Sequence, residues 1–240
     1  MPGSTPTASL TFKPFIERTA PGKRRAASSV KRSSAHMLED IPSPIDLRLM
    51  PDALEWAQTA TEKRPYREDI FAEFARELLS AEPAVRRVLE LGSGPGFLAQ
   101  HLLRSLPAAS FVLLDFSPAM HQLAGERLVS QRSRVELVER SFKDPDWGEG
   151  LGRFQGIVTL QAVHELRHKR HATALHHQAK ALLAPGGAYL VCDHFVGEGG
   201  VVNDQLFMSV EEQQQALLDA GFHTVRQVAR RGSLVLHHAA

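Results

Sequence analysis

The ten residues Val88-Leu89-Glu90-Leu91-Gly92-Ser93-Gly94-Pro95-Gly96-Phe97 constrain this chain more than any other stretch. A short apolar run ends in three glycines at alternate positions, and a helical pattern opens at Phe97. Such a run reads as a strand buried on both faces. Glycines after it let the main chain turn tightly and approach a ligand closely. At the carboxyl edge of a parallel sheet, that is where ligands bind.

The rest of the chain repeats the alternation. Apolar runs predict strands over 87–91, 111–114, 135–138, 156–163 and 188–192, the last entered through the Pro185-Gly186-Gly187 break. Helical spacing predicts helices over 97–106, 118–129, 171–183 and 208–220, with Gly221 as a left-handed terminator. Two final strands, 223–228 and 233–237, flank an Arg230-Arg231-Gly232 turn short enough for a hairpin. Before the first strand, Leu54, Trp56 and Ala57 begin one helix. Ile70, Phe71, Phe74, Ala75, Leu78 and Leu79 form the apolar stripe of a second, with Pro65 at its expected start. The expected fold is a doubly wound α/β domain of the Rossmann-like kind. Its seven-stranded sheet is mainly parallel with an antiparallel last strand, and two extra helices precede it.

At 240 residues and 43% apolar composition, one such domain can bury a sizeable core. The single cysteine, Cys192, excludes an intrachain disulfide framework and fits a reducing, cytoplasmic setting. No apolar run approaches the roughly 20 residues of a membrane helix, and the N-terminus lacks the apolar centre of a secretory signal. The net charge of +1 hides an asymmetry: residues 1–36 carry seven Lys and Arg against Glu17 alone, so the body is acidic. A body tuned to a nucleic-acid backbone is therefore not indicated. The expected organisation is a disordered basic Ser/Arg-rich tail over 1–36, N-terminal helices forming a lid over 37–84, and a ligand-binding domain over 85–240. The tail reads as passive before it reads as a nucleic-acid arm or a targeting segment.

Asp115 closes the second predicted strand, nineteen residues after Gly96. A carboxylate there can accept hydrogen bonds from both hydroxyls of a ribose lying across the strand ends. Nicotinamide dinucleotides and S-adenosylmethionine both suit this arrangement. The dinucleotide pattern G-x-G-x-x-G fails here, because the third glycine comes one residue early and Phe97 stands in its place. Glu90 adds a second acid, which suits a cationic sulfonium better than a pyrophosphate.

The segment 88–97 resembles the first motif of the class I S-adenosylmethionine-dependent methyltransferases. Asp115-Phe116-Ser117-Pro118-Ala119-Met120 is similar to the acidic loop after their second strand. Phe154 to Leu166 resembles their fourth-strand motif, and Leu182-Leu183-Ala184-Pro185-Gly186-Gly187 the entry to their fifth strand. The resemblance spans about residues 50–240 and implies S-adenosyl-L-methionine as cofactor. It places Gly92, Ser93, Gly94 and Gly96 along the methionine and ribose portion, with Glu90 shaping that pocket. It gives Asp115 the ribose hydroxyls, Phe116 and Met120 the flanks of the adenine, and the Gln161 backbone carbonyl the methionine amino group. Where the family often carries an adenine-binding acid, this chain has Glu139-Arg140-Ser141-Phe142. Ser141 or a backbone carbonyl must then serve, beside Phe142.

His164-Glu165-Leu166-Arg167-His168 spells H-E-x-x-H, a zinc motif when it lies within a helix. Here it follows a buried strand directly, with Arg167 beside the would-be metal, so no metal is expected. His164 at the end of the fourth strand is instead a candidate general base oriented by Glu165. The plainer alternative is that His164 packs under the next helix while Glu165 caps it. His168 to His171 reads as a solvated basic face, with an anion clamp as its rival. Asp193 and His194 end the fifth strand on the ligand edge, where they can touch substrate. Tyr66 and Arg67 read as lid residues, Arg67 with a charge that suits a cofactor carboxylate.

The expected function is methyl transfer to a small-molecule acceptor by in-line displacement, in a monomer or homodimer. A nicotinamide-dependent oxidoreductase and a methyltransferase-like nucleic-acid-binding module using the tail are the alternatives.

Overall fold

The computed structural model describes residues 39–82 and 84–240, so the tail expected over 1–36 lies outside the described residues. Two helices come first, α1 (Met50–Lys63) and α2 (Arg67–Leu79). Pro65 does not start α2: Tyr66 is its N-terminal flanking residue, and Arg67 opens the helix. Strands and helices then alternate as β1 (Arg87–Leu91), α3 (Phe97–Ser105), β2 (Ser110–Asp115), α4 (Pro118–Arg127), β3 (Val135–Glu139), β4 (Phe154–Leu160), α5 (Ala172–Ala181), β5 (Leu183–His194), α6 (Val210–Asp219), β6 (Val225–Arg231) and β7 (Leu234–Ala239).

The seven strands lie in the order β3-β2-β1-β4-β5-β7-β6. The pairs from β3 through β5 are parallel, and β7 runs antiparallel to both β5 and β6. The strand order reverses between β1 and β4, which leaves a crevice at their carboxyl ends.

Strand side chains alternate between two cores, as a pleat of period two requires. Val88, Leu113, Val158 and Leu190 face the layer of α2 and α3, where Ile70, Phe74, Leu98 and Leu102 are buried. Leu89, Leu114, Ile157 and Tyr189 face the layer of α5 and α6 with Trp147. Glu90 shares the face of Val88, so its carboxyl enters the side that α2 and α3 cover. A third, smaller cluster packs α1 on α4 through Ala53, Ala119 and Met120, with Trp56 and Leu47 against it.

Three boundaries differ from the sequence reading. β4 ends at Leu160, because Gln161 turns into the left-handed region at φ 56°. β5 runs through the Pro185-Gly186-Gly187 break, which survives as a register shift between the Phe154↔Leu183 and Gly156↔Ala188 pairs. The terminal turn is Gly232 and Ser233, since Arg230 and Arg231 stay paired in β6 with Val235 and Leu234. Propensity alone does not show where a neighbouring strand continues to offer partners.

Candidate active site

The crevice at the β1–β4 switch point is a partly enclosed cavity that opens to solvent. Its floor is the glycine loop. The N–H groups of Gly92 and Ser93 donate to Leu114 O at 2.8 and 3.2 Å, which folds the loop back over β2. Gly92 has φ +66°, and a Cβ there would collide with Ala162. Gly94 has φ +53°, and a Cβ there would meet nothing within 4 Å. Gly92 is thus required by packing, while Gly94 leaves space beside the loop. Arg127 clamps the loop from α4: its Nε donates to Pro95 O at 2.8 Å, and its guanidinium lies 3.9 Å from the Phe97 ring centroid.

Asp115 joins this loop to the next helix. Its Oδ2 accepts from Gly94 N–H at 2.8 Å and its Oδ1 from Ser117 N–H at 2.9 Å. Each carboxylate oxygen retains acceptor capacity for a ligand. Burial raises the Asp115 pKa against these two donors. Glu90 is pushed well above the carboxylate range by burial first and by the charge of Asp115 second. Its Oε2 is buried without a partner. Phe116, Met120 and Phe142 complete the wall beyond Asp115.

The opposite wall comes from the ends of β4 and β5. His164 Nδ1–H donates to Asp193 Oδ1 at 2.7 Å, and His164 N–H donates to Asp193 Oδ2 at 2.9 Å. Asp193 therefore orients the imidazole, and Glu165, expected in that role, stands at Nε2 with Oε1 3.5 Å away. Burial works against a charge on His164, but the charge and hydrogen bond of Asp193 outweigh it, and the pKa is raised. His194 is the reverse case: burial pulls it down to about 4, so it is neutral. Its Nε2 accepts from Gln161 Nε2–H at 2.9 Å, and its Nδ1–H donates to Ser233 Oγ at 2.7 Å. Gln161 Oε1 is left buried and unpartnered on the cavity. Phe207 packs on both imidazoles, 5.2 Å from His164 and 5.7 Å from His194.

Of the residues singled out in the sequence, Glu90, Gly92, Ser93, Gly94, Asp115, Phe116, Met120, Phe142, Gln161, His164, Glu165 and Arg67 line one cavity. The others stand apart from its lining, Asp193 among them, where it holds His164 from behind. Gly96 is the N-terminal flanking residue of α3 at φ 77°. Ser141 lines a neighbouring cavity, where its Oγ accepts from Lys143 N–H at 3.2 Å. Tyr66 packs against Gly232 in the β6–β7 turn. His194 sits behind Gln161. The cavity also takes Leu47, Trp56 and Arg64, which the sequence reading did not single out as site residues.

The H-E-x-x-H spelling does not form a helical metal face. Residues Val163–Leu166 make a short 3₁₀ turn, and Arg167 then enters the left-handed region at φ 68°. His168 faces a different turn, where its Nδ1 accepts from Arg170 N–H at 3.1 Å. Among the described residues, no three His, Cys, Asp or Glu side chains converge as metal ligands.

Comparison with known proteins adds the decisive observation. The family described as "Methyltransferase domain" matches residues 88–187, from β1 to the break in β5. This segment of the chain is similar to S-adenosylmethionine-dependent methyltransferases. A curated relative, malonyl-[acyl-carrier protein] O-methyltransferase of Magnetococcus marinus, is 33% identical over 94 residues. That alignment covers 32% of this chain and 35% of the relative, so the chain matches about a third of the relative's length. Two solved structures show the shared fold. The DhpI–SAH complex has a TM-score of 0.61 at 19% identity, over 80% of this chain and 95% of that one. Human N-acetylserotonin methyltransferase with SAM has a TM-score of 0.59 at 16% identity, over 80% of this chain and 56% of that one. Nothing in these comparisons supports a nicotinamide oxidoreductase or a nucleic-acid-binding module.

Proposed function

We propose that this protein transfers the methyl group of S-adenosylmethionine to an oxygen of a small-molecule acceptor. The observation that carries the reading is the pairing of two walls across one cavity. One is the Gly94–Asp115 loop contact, suited to a ribose; the other is the His164–Asp193 pair, suited to proton removal.

The residues present fit an adenosyl donor. Gly94 leaves space a side chain would fill, and Asp115 keeps acceptor capacity for ribose hydroxyls. Ser93 Oγ, Glu90 Oε2 and Gln161 Oε1 are buried polar atoms without partners, as expected of a site completed by a polar ligand. Phe116, Met120 and Phe142 would flank the adenine. When bound, the donor supplies an electrophilic methyl on a sulfonium.

The chain's own work is positioning, desolvation and proton transfer. The acceptor hydroxyl or acid would sit against His164 Nε2, the ring nitrogen not bonded to Asp193. In its neutral form His164 accepts the acceptor's proton, and Asp193 stabilises the imidazolium that results. Holding the two reactants in line is worth several orders of magnitude in rate. The segment 40–48, α1 and the start of α2 would exclude water as a lid. Oxygen is favoured because the curated relative is named as an O-methyltransferase.

The test is formation of S-adenosylhomocysteine over a panel of phenols, enols and carboxylic acids. Turnover of at least one class is expected, with His164→Ala lowering kcat about 10²- to 10⁴-fold. Transfer only to amines or thiols would overturn the oxygen assignment.

A further inference from the structure

One aromatic side chain outside the cavity lining bears directly on the base. Phe207 lies between β5 and α6, in the segment 195–207, and is half-buried. Its ring centroid is 5.2 Å from that of His164, with the rings tilted by 44°. It is 5.7 Å from that of His194, edge on at 83°. The two imidazoles are 5.8 Å apart, so three rings form one cluster. His164 lines the cavity and Phe207 does not, so Phe207 bears on a substrate only through the imidazole.

The local chain holds this ring from both sides. Asn203 enters the left-handed region at φ 103°. Its Oδ1 accepts from Gln205 N–H at 3.2 Å and Leu206 N–H at 3.1 Å, and its carbonyl accepts from Phe207 N–H at 3.0 Å. Asn suits such a turn because its short side chain bonds the main chain two residues on. Lys169 N–H donates to Gln205 O at 2.9 Å, which ties the segment to the stretch just after the His164 turn. Beyond Phe207, Val196 N–H donates to Met208 O at 3.0 Å. The same segment leaves Val202 fully in solvent, so its fold selects Phe207 for the base.

The charges around His164 give this cover a consequence. Asp193 and His194 face it from β5, and Glu165 and Arg167 from its own turn. Arg64 and Arg67 line the same cavity, and the acids of the 195–207 segment, Glu198 and Asp204, lie in its exposed part. Burial opposes a charge on His164 most strongly, Asp193 and Glu165 favour it, and Arg167 opposes it. His194 is neutral. An aromatic ring adds burial and carries no charge of its own.

We propose that Phe207 is a positioning residue for the base: it keeps water from the His164 imidazole and holds that ring against Asp193. The proposal rests on the methyl-transfer reading, in which neutral His164 takes the acceptor's proton. Without the cover, water solvates the imidazolium, and less of the neutral base is present at a given pH.

NMR titration of the histidine Cε1–H signals tests this without an acceptor. The full chain is saturated with S-adenosylhomocysteine, and His164 is assigned as the signal missing from His164→Gln. Wild type, Phe207→Leu and Phe207→Ala are compared, with Val202→Ser as a control on the same segment. The His164 midpoint should rise by about half a pH unit or more in Phe207→Ala, by less in Phe207→Leu, and not at all in Val202→Ser. Calorimetry should show S-adenosylhomocysteine affinity within about twofold of wild type throughout, which also reports a folded site. Should Phe207→Ala not fold, Phe207→Leu carries the test. A midpoint that stays in place or falls, or an equal rise in Val202→Ser, overturns the proposal and leaves the methyl-transfer reading standing. If wild type does not bind S-adenosylhomocysteine, the methyl-transfer reading fails and takes this proposal with it.

Discussion

His164 and Asp193 meet at the ends of neighbouring strands through two hydrogen bonds, one from the imidazole at 2.7 Å and one from the His164 main-chain N–H at 2.9 Å. The double contact fixes both the ring and the turn that carries it. It also leaves Nε2 as the nitrogen available to a substrate. Asp193 accepts from the His194 main-chain N–H as well, at 2.7 Å, so one buried carboxylate organises both imidazoles.

This arrangement predicts a pH signature. Burial alone would depress His164, and Asp193 raises it above the ordinary histidine value. Activity that needs the neutral base therefore rises with pH through a midpoint above roughly 6.5. Asp193→Asn removes the charge and leaves burial dominant, so the midpoint of the kcat profile moves to lower pH. A midpoint that stays in place would exclude Asp193 as the controlling group.

The same pair sets a stability window. A histidine with a raised folded-state pKa stabilises fully below its unfolded value and loses that contribution as pH rises through the folded value. Asp193 is lowered: burial would raise it, and the His164 charge and hydrogen bond outweigh that. Its contribution is lost as pH falls through its own folded-state pKa, below roughly 3.8. Denaturant titrations of wild type and Asp193→Asn should therefore differ most between these limits. The gap should narrow both above the His164 midpoint and in acid.

Gly92 and Gly94 should separate fold from binding. Gly92→Ala collides with Ala162 in a left-handed backbone and should lower the melting temperature sharply. Gly94→Ala costs about 1–2 kcal/mol of backbone strain, yet meets no protein atom within 4 Å. Its larger effect should be on S-adenosylhomocysteine affinity, read by calorimetry beside a thermal melt.

Arg167 should govern the segment 40–48, which lines the neighbouring cavity. Its Nε and Nη2 donate to Ile41 O and Pro42 O, each at 2.8 Å, and its own carbonyl accepts from Ile41 N–H at 2.8 Å. At the other end of the segment, Ser117 Oγ–H donates to Leu47 O at 2.5 Å. Arg167→Gly suits the left-handed backbone at φ 68° but removes the side-chain tether. Hydrogen exchange over 40–48 should accelerate about tenfold or more while exchange in β1 and β4 holds. Equal exchange in the two proteins would show that the side chain does not hold the segment.

The H-E-x-x-H spelling gives a further discrimination. His164→Ala should remove most of the activity, whereas His168→Ala, in a separate turn, should leave it within about twofold of wild type. Comparable losses from both would revive the metal reading.

Much of this architecture was legible beforehand, because the strand–helix alternation and the glycine loop are local signals. β1 and the start of α3 fall where apolar spacing puts them. Asp115 reaches the cavity because a strand end and a loop define its place whatever surrounds them. The orientation of His164 was not legible, since Asp193 is 29 residues away and only the β4–β5 pairing brings it near. Glu165, adjacent in sequence, was the natural choice to orient the ring, but Asp193 takes Nδ1 and Glu165 stands 3.5 Å from Nε2. Arg67 and Tyr66 stood side by side as lid residues, yet helical geometry turns one into the cavity and the other onto Gly232. Trp56 looked like ordinary helix core because an aromatic on an apolar stripe has the same spacing whether it meets protein or ligand.

The most direct test of the account is calorimetric titration of S-adenosylhomocysteine into ligand-free, folded protein, with Asp115→Ala and Gly94→Arg alongside. Saturable binding at one site per chain is predicted for wild type, weakened about tenfold or more in Asp115→Ala and abolished in Gly94→Arg. No binding to wild type, or equal binding by all three proteins, would contradict it.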